Sequence, residues 1–158
     1  MIRLSKLTDY GIVLLSYIAA RANGQITTAR SLSEESRLPL PTVSKILKML
    51  SRAGLLVSHR GNKGGYTLSR GADDISILDI ISAIEGSPAL TECSSTAPLL
   101  CELEETCPSR KNWKKINDAV RDALGELVLM DMVGSKANDC EKSGSASVAE
   151  PLLQLVRR

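Results

Sequence analysis

The stretch Thr28–Leu68 reads TARSLSEESRLPLPTVSKILKMLSRAGLLVSHRGNKGGYTL, and the architecture of the chain is decided there. At its centre Val43, Ile46, Leu47 and Leu50 recur at i, i+3, i+4 and i+7, which predicts one buried face of a helix from Pro41 to Arg52. Pro41 suits the first turn, where a missing N–H is no loss. The outer face keeps Thr42, Ser44, Lys45, Lys48, Ser51 and Arg52: three cations, three hydroxyls and no carboxylate. Upstream, Thr28 caps a shorter predicted helix, Ala29 to about Ser36, which turns Leu32 inward and is broken by Arg37-Leu38-Pro39. Two short helices joined by a tight turn, the second with a small-polar and cationic face, form the helix-turn-helix pattern. Downstream, Leu55-Leu56-Val57-Ser58 and Tyr66-Thr67-Leu68 predict two antiparallel strands. Between them His59 to Gly65 is a glycine-rich tip carrying Arg60 and Lys63, the wing that follows many helix-turn-helix units. An ordinary solvated hairpin is the plain alternative. A nucleotide phosphate loop is excluded, because no Lys-Ser/Thr pair and no helix follows the glycines.

Outward from this centre the periodicity continues. Ile12, Leu15, Ile18 and Ala19 mark a helix from Thr8 to Ala22, with Thr8 as N-cap, Asp9 in its first turn and Asn23-Gly24 at its end. Ser76 caps another helix, with Ile77, Ile80, Ile81 and Ile84 inward and Glu85-Gly86 closing it. Trp113, Ile116, Val120, Ala123, Leu127 and Met130 are spaced 3, 4, 3, 4, 3, an a/d seam that predicts one long helix from about Ser109 to Met132. Such a helix reaches roughly 36 Å and buries its seam more readily against a twin than against its own small domain. The expected fold is mainly α: a winged helix-turn-helix domain over 1–86, a cysteine-rich loop over 87–108 and a dimerisation helix over 109–133. Residues 134–158, rich in Ser, Gly, Ala and charge, read as a disordered tail ending in a short apolar stretch, Leu152 to Val156.

Composition narrows the function. The 158 residues are 43% hydrophobic and 24% charged, which suits about one packed domain. Three Tyr, one Trp and no Phe argue against base-stacking platforms, and a single His removes most histidine-based catalysis. No apolar run approaches the ~20 residues that span a bilayer, and Met1 to Ser5 lacks a signal-peptide core, so a cytoplasmic protein is expected. The net charge of +2 conceals a division. Residues 1–70 hold 11 Lys/Arg against 3 Asp/Glu, a balance of +8, and residues 71–158 hold 9 against 15, a balance of −6. A basic first half fits a module that faces a polyanion.

Cys93, Cys101 and Cys107 lie within fifteen residues, spaced C-x7-C-x5-C, while Cys140 stands apart. In a reducing compartment a tight cysteine group is more often a metal or redox site than a disulfide. Three thiolates are one ligand short of a four-coordinate zinc or iron–sulfur site, and the gaps exceed those of zinc knuckles. His59, Cys140, a carboxylate such as Asp9 or Glu102, or solvent could complete the set.

Leu4-Ser5-Lys6-Leu7-Thr8-Asp9-Tyr10-Gly11, Leu38 to Leu50, Gly54-Leu55-Leu56-Val57, Arg60-Gly61-x-x-Gly64-Gly65-Tyr66-x-Leu68, Ser76-Ile77-x-Asp79-Ile80-Ile81 and the three-cysteine loop together resemble one family. It is the dimeric winged-helix regulators typified by IscR and NsrR, the Rrf-two family, matched over about residues 1–132. Leu90-Thr91-Glu92-Cys93, Cys101-Glu102-Leu103 and Cys107-Pro108-Ser109-Arg110-x-Asn112-Trp113 look most like regulators of SUF iron–sulfur assembly operons. The resemblance implies that Cys93, Cys101 and Cys107 ligate a 2Fe–2S or 4Fe–4S cluster. IscR-like members place a ligating His where this chain has Arg110. NsrR-like members recruit an Asp from the partner subunit's first helix, which corresponds to Asp9 here.

The expected protein is thus a homodimeric, double-stranded-DNA-binding repressor that senses iron–sulfur status and controls cluster-assembly genes. Thr42, Ser44 and Lys45 would reach base edges, Lys48 and Arg52 phosphates, and wing Arg60 the minor groove, with Lys63 also on the DNA. The alternatives are a nitric-oxide or redox sensor using the same cluster, and a zinc-stabilised DNA-binding module that senses nothing. A thiol enzyme is disfavoured, since no C-x-x-C and no nucleophile–base pair is present.

Overall fold

The computed structural model describes residues 3–21, 24–61, 64–91, 94 and 106–133. In chain order these form α1 (Lys6–Ala19), α2 (Ala29–Ser36), α3 (Leu40–Arg52), β1 (Leu56–His59), β2 (Gly65–Leu68), a 3₁₀ turn (Ala72–Asp74), α4 (Ile77–Glu85), α5 (Arg110–Glu126) and α6 (Leu129–Met132). Among the described residues no helix is long and apolar enough to cross a membrane. The fold is mainly helical, as expected. The tail reading over 134–158 lies outside the described residues.

The core is aliphatic throughout. Val43, Ile46, Leu47 and Leu50 of α3 are fully buried, as their spacing predicts, against Leu14 and Leu15 of α1, Leu32 of α2 and Ile80 and Ile81 of α4. Each such side chain contributes about 1.5–3 kcal/mol by leaving water. The caps at Thr28 and Ser76 also form. Thr28 accepts from Ser31 N–H, and Ser76 with Asp79 makes a reciprocal capping box.

The start of α1 differs from the expectation. Ser5, not Thr8, is the N-cap, and its hydroxyl accepts from Thr8 N–H at 3.3 Å. Thr8 is fully buried, and its hydroxyl donates to the Glu85 carboxylate, which also accepts Ser5 N–H at 2.8 Å. A distant carboxylate therefore serves the α1 amino terminus, where the helix dipole favours an anion. The last residue of α1 is Ala19, three short of the expected end.

The long helix is also corrected. α5 stops at Glu126 and so spans about 25 Å. Leu127 and Val128 are extended, and Val128 pairs with Ser76 in an antiparallel bridge. Ile77 N–H donates to Leu127 O at 2.9 Å and Leu129 N–H to Ile75 O at 2.8 Å. Gly125 weakens the helix by about 1 kcal/mol, and the break lets Leu129 reach full burial in the winged domain's core. The a/d spacing thus continues past the point where tertiary hydrogen bonds end the helix.

β1 and β2 pair antiparallel from Leu56↔Leu68 to His59↔Gly65, and Thr27 adds a bridge to Tyr66 on the other edge of β2. That third chain passes so close that a Cβ on Gly65 would lie 2.5 Å from Thr27 O. A Cβ on Gly11 would press on the tip of the Ile84 side chain and touch Ile46 in ordinary contact at 3.7 Å.

Gly65→Ala should therefore cost about 1–3 kcal/mol, because backbone must move. Gly11→Ala should stay within about 1 kcal/mol of wild type, since gained helix propensity offsets the repacking of Ile84. Urea midpoints at unchanged m-value read both.

Hydrogen bonds from Thr8 and Ser5 hold the Glu85 carboxyl below its ordinary value, and those from Ser31 and Arg21 do the same for Glu35. Because each folded value is depressed, the unfolded chain binds protons first as pH falls. Their stabilisation is complete above about pH 4.5 and is lost as pH drops through the lower folded values. Glu85→Gln should flatten the acid-side decline of Tm, read by thermal melts between about pH 6 and about pH 3.

Candidate nucleic-acid interface and cysteine segment

Burying Val43, Ile46, Leu47 and Leu50 forces the rest of α3 outward. Lys45, Lys48 and Arg52, at i, i+3 and i+7, form an exposed stripe, with Thr42, Ser44 and Ser51 half-buried along its borders. The two ion pairs among the described residues are Arg21–Glu35 and Arg70–Asp79, so none of the three α3 cations is neutralised there. Pro39 is the N-cap of α3 and gives no side-chain cap, which leaves the N–H groups of Leu40 and Thr42 available to an anion such as a phosphate. Arg60 is exposed beside the wing tip, where Gly61 holds φ +108 and Gly64 N–H returns to Gly61 O at 2.9 Å. Lys63 lies outside the described residues. Thr42, Ser44, Lys45, Lys48 and Arg52 are therefore collected on one helix, with Arg60 on the adjoining hairpin.

Sequence reasoning overlooked Leu40. It is 40% exposed at the tip of α3, an apolar group of the kind that packs on a thymine methyl. Its flanking prolines were the signal: Pro39-Leu40-Pro41 confines Leu40 to the helix start, while Leu38 turns back to the core. Arg37 was also overlooked. It is exposed in the turn between α2 and α3 with φ 55, a left-handed conformation that side chains avoid at a cost of about 1–2 kcal/mol.

Of the cysteines, Cys93, Cys101 and Cys140 lie outside the described residues. Cys107 is half-buried, three residues before α5, and its carbonyl accepts Arg110 N–H at 3.4 Å. Thr91 and Ser94, which bracket Cys93 in sequence, are joined by Ser94 N–H to Thr91 O at 3.0 Å and by their hydroxyls at 2.9 Å. Of the candidate fourth ligands, Asp9 is exposed in the first turn of α1. His59 is exposed at the end of β1, its Nε2 hydrogen-bonded to Thr67 Oγ1 at 3.0 Å. Glu102 lies outside the described residues.

Among the described residues, several large apolar side chains of α5, α6 and α1 stay exposed. Trp113, Ile116, Leu127, Met130 and Met132 are each 37–47% exposed, and Val13 and Tyr17 line a groove of α1 beside Met132. The seam read from sequence is thus turned outward where it was expected to meet a twin.

Residues 4–135 match the Rrf2 family, described as iron-dependent transcriptional regulators. The chain is 30% identical to protein aau3 of Rhizobium meliloti over 135 residues, 85% of this chain and 86% of that one. Among solved structures it resembles CymR, the global cysteine regulator of B. subtilis, at 29% identity and TM-score 0.66 over 86% of this chain and 99% of that one. It also resembles T. potens IscR at 25% identity and TM-score 0.61, over 92% and 93%. A family match across most of the chain, on a helix-turn-helix with a basic outer face and a wing, has one conclusion: the chain belongs to the Rrf2 family and is a winged-helix transcriptional regulator rather than an enzyme.

Proposed function

We propose that the chain is a homodimeric repressor that senses iron–sulfur status through Cys93, Cys101 and Cys107 and controls cluster-assembly genes. The observation that carries this reading is the cysteine trio between α4 and α5 in a family of iron-dependent regulators. The donor chemistry fits: three thiolates at gaps too long for zinc knuckles suit a cluster whose irons are spread over several ångströms. Cys107, half-buried at the foot of α5, is partly shielded from water while still open to a neighbour. When bound, the cluster supplies a centre that oxygen or nitric oxide can attack. Asp9, from the partner subunit, is the favoured fourth ligand.

The protein's own residues do the rest. α3 enters the major groove, with Thr42, Ser44, Lys45 and Leu40 at base edges, Lys48 and Arg52 on phosphates, and the wing's Arg60 and Lys63 on the adjacent groove. The exposed apolar seam of α5 with Leu127 and Met130 supports the dimer, because surfaces of this kind mark protein contacts. A second reading is favoured by the likeness to CymR, a global cysteine regulator: a regulator of cysteine supply.

The anaerobically purified protein should be brown, with visible absorbance and matching iron and sulfide. A colourless protein with stoichiometric zinc, or with no metal, would overturn the cluster reading. Cys93→Ala, Cys101→Ala and Cys107→Ala should each abolish reconstitution, and Cys140→Ala should change nothing. Asp9→Asn should shift the spectrum and speed cluster loss under oxygen at unchanged helix content. A wild-type spectrum and decay would leave Asp9 as a helix-terminus residue.

On DNA, Lys48→Ala should weaken binding to all duplexes alike and lower the salt slope by about 1. Lys45→Ala should also lose preference for the operator over random DNA. Equal effects of the two variants in titrations at several salt concentrations would remove Lys45 as a base reader.

A further inference from the structure

Among the described residues Arg37 is the only non-glycine residue with positive φ, at φ 55 and ψ 25. Its neighbours impose that conformation. Leu38 packs against the core, where Ser33 Oγ donates to its carbonyl at 2.6 Å and Ser36 Oγ accepts its N–H at 3.4 Å. Leu32, fully buried in α2, fixes the other side of the joint. The chain must therefore turn at position 37 whatever residue stands there, and glycine would do so without a Cβ clash. An arginine does so at a cost that its surroundings do not return. Among the described residues its guanidinium has no hydrogen bond or ion pair: Glu35 is held by Arg21 and Ser31, and Glu34 is exposed without a cation on it. A cation at the carboxyl end of α2 suits the helix dipole, but that gain is smaller than the left-handed cost. Strain held by a side chain that the fold does not use points to function.

The place of Arg37 says which function. It is exposed two residues ahead of Pro39, the N-cap of α3, and three ahead of exposed Leu40. In a helix-turn-helix the first helix crosses the sugar–phosphate backbone and the second enters the groove, so the joint between them stands at the groove edge. We propose that Arg37 clamps a DNA phosphate at that edge, its guanidinium forking onto two phosphate oxygens, and that the chain gives up fold stability to place it there. The contact carries no sequence information and anchors the amino end of α3. Arg37 and Arg52 then flank α3 at its two ends. This rests on the reading of α3 as the helix that faces the duplex.

Three variants of the full chain separate the roles, each titrated against a labelled duplex of random sequence at several salt concentrations and melted to read Tm. Arg37→Gly should raise Tm by about 1–4 °C, because the turn no longer strains a Cβ. It should also weaken binding about threefold to tenfold at low salt and lower the salt slope by about 1 for each protomer on the duplex. Arg37→Gln keeps the left-handed strain and removes only the charge. It should bind as weakly as Arg37→Gly at a Tm near wild type. Arg37→Lys should keep the slope and lose less than about threefold in affinity. Wild-type affinity and slope in Arg37→Gln would overturn the proposal, whatever Arg37→Gly does. A lowered Tm in Arg37→Gly would overturn it too, since the side chain would then serve the fold. Lys48→Ala is the control for the reading of α3. If it weakens binding and the Arg37 variants do not, the Arg37 clamp is refuted and that reading stands; if none of them weakens binding, both fall.

Discussion

Burial of the inner face of α3 is the constraint on which the rest of the molecule depends. Val43, Ile46, Leu47 and Leu50 have no accessible surface, and α1, α2 and α4 each supply aliphatic residues against them. With 3.6 residues per turn, seating those four side chains dictates the opposite face, which is where Lys45, Lys48 and Arg52 emerge. The core contains no Phe, because the chain has none, and so relies on interdigitated Leu, Ile and Val with few low-energy rotamers. Such a core holds a reading helix rigidly relative to its neighbours. Leu129 is the last piece of it, supplied from beyond α5, so the carboxyl end of α5 and helix α3 are joined to one packed interior.

What could be read in the sequence was local. The α3 stripe, the caps at Thr28 and Ser76 and the glycine-rich wing each rest on interactions within a few residues, and each formed. What could not be read depends on distant partners. Thr8 looks like a cap until Glu85, 77 residues away, satisfies its hydroxyl and leaves Ser5 to cap the helix. The heptad spacing through Leu127 and Met130 gives no sign that Ser76 waits to pair with Val128. The same division holds for the site. Cations on α3 are visible because nothing has to fold around them, whereas the Leu90 N–H to Asn117 Oδ1 contact joins residues 27 apart and leaves no local trace.

These distant contacts converge on α5. Its amino end abuts Cys107, its middle holds Ser87 and Leu90, and its carboxyl end is clipped through Leu127, Val128 and Leu129 to the start of α4. A helix fastened at three places moves as a unit, and a displacement at one fastening is felt at the others. Under the proposed function, coupling between the cysteine segment and α3 would need no chain of side chains through the core, only a lever whose ends are both attached.

The Thr27–Tyr66 bridge has a consequence of its own. It turns a two-stranded stem, which by itself is marginally stable in water, into part of a three-chain edge anchored just ahead of α2. The stem is consequently preorganised before any duplex arrives. Association spends little conformational entropy on it, and the thermodynamic signature of binding is set by counterion release and groove contacts rather than by coupled folding of the hairpin.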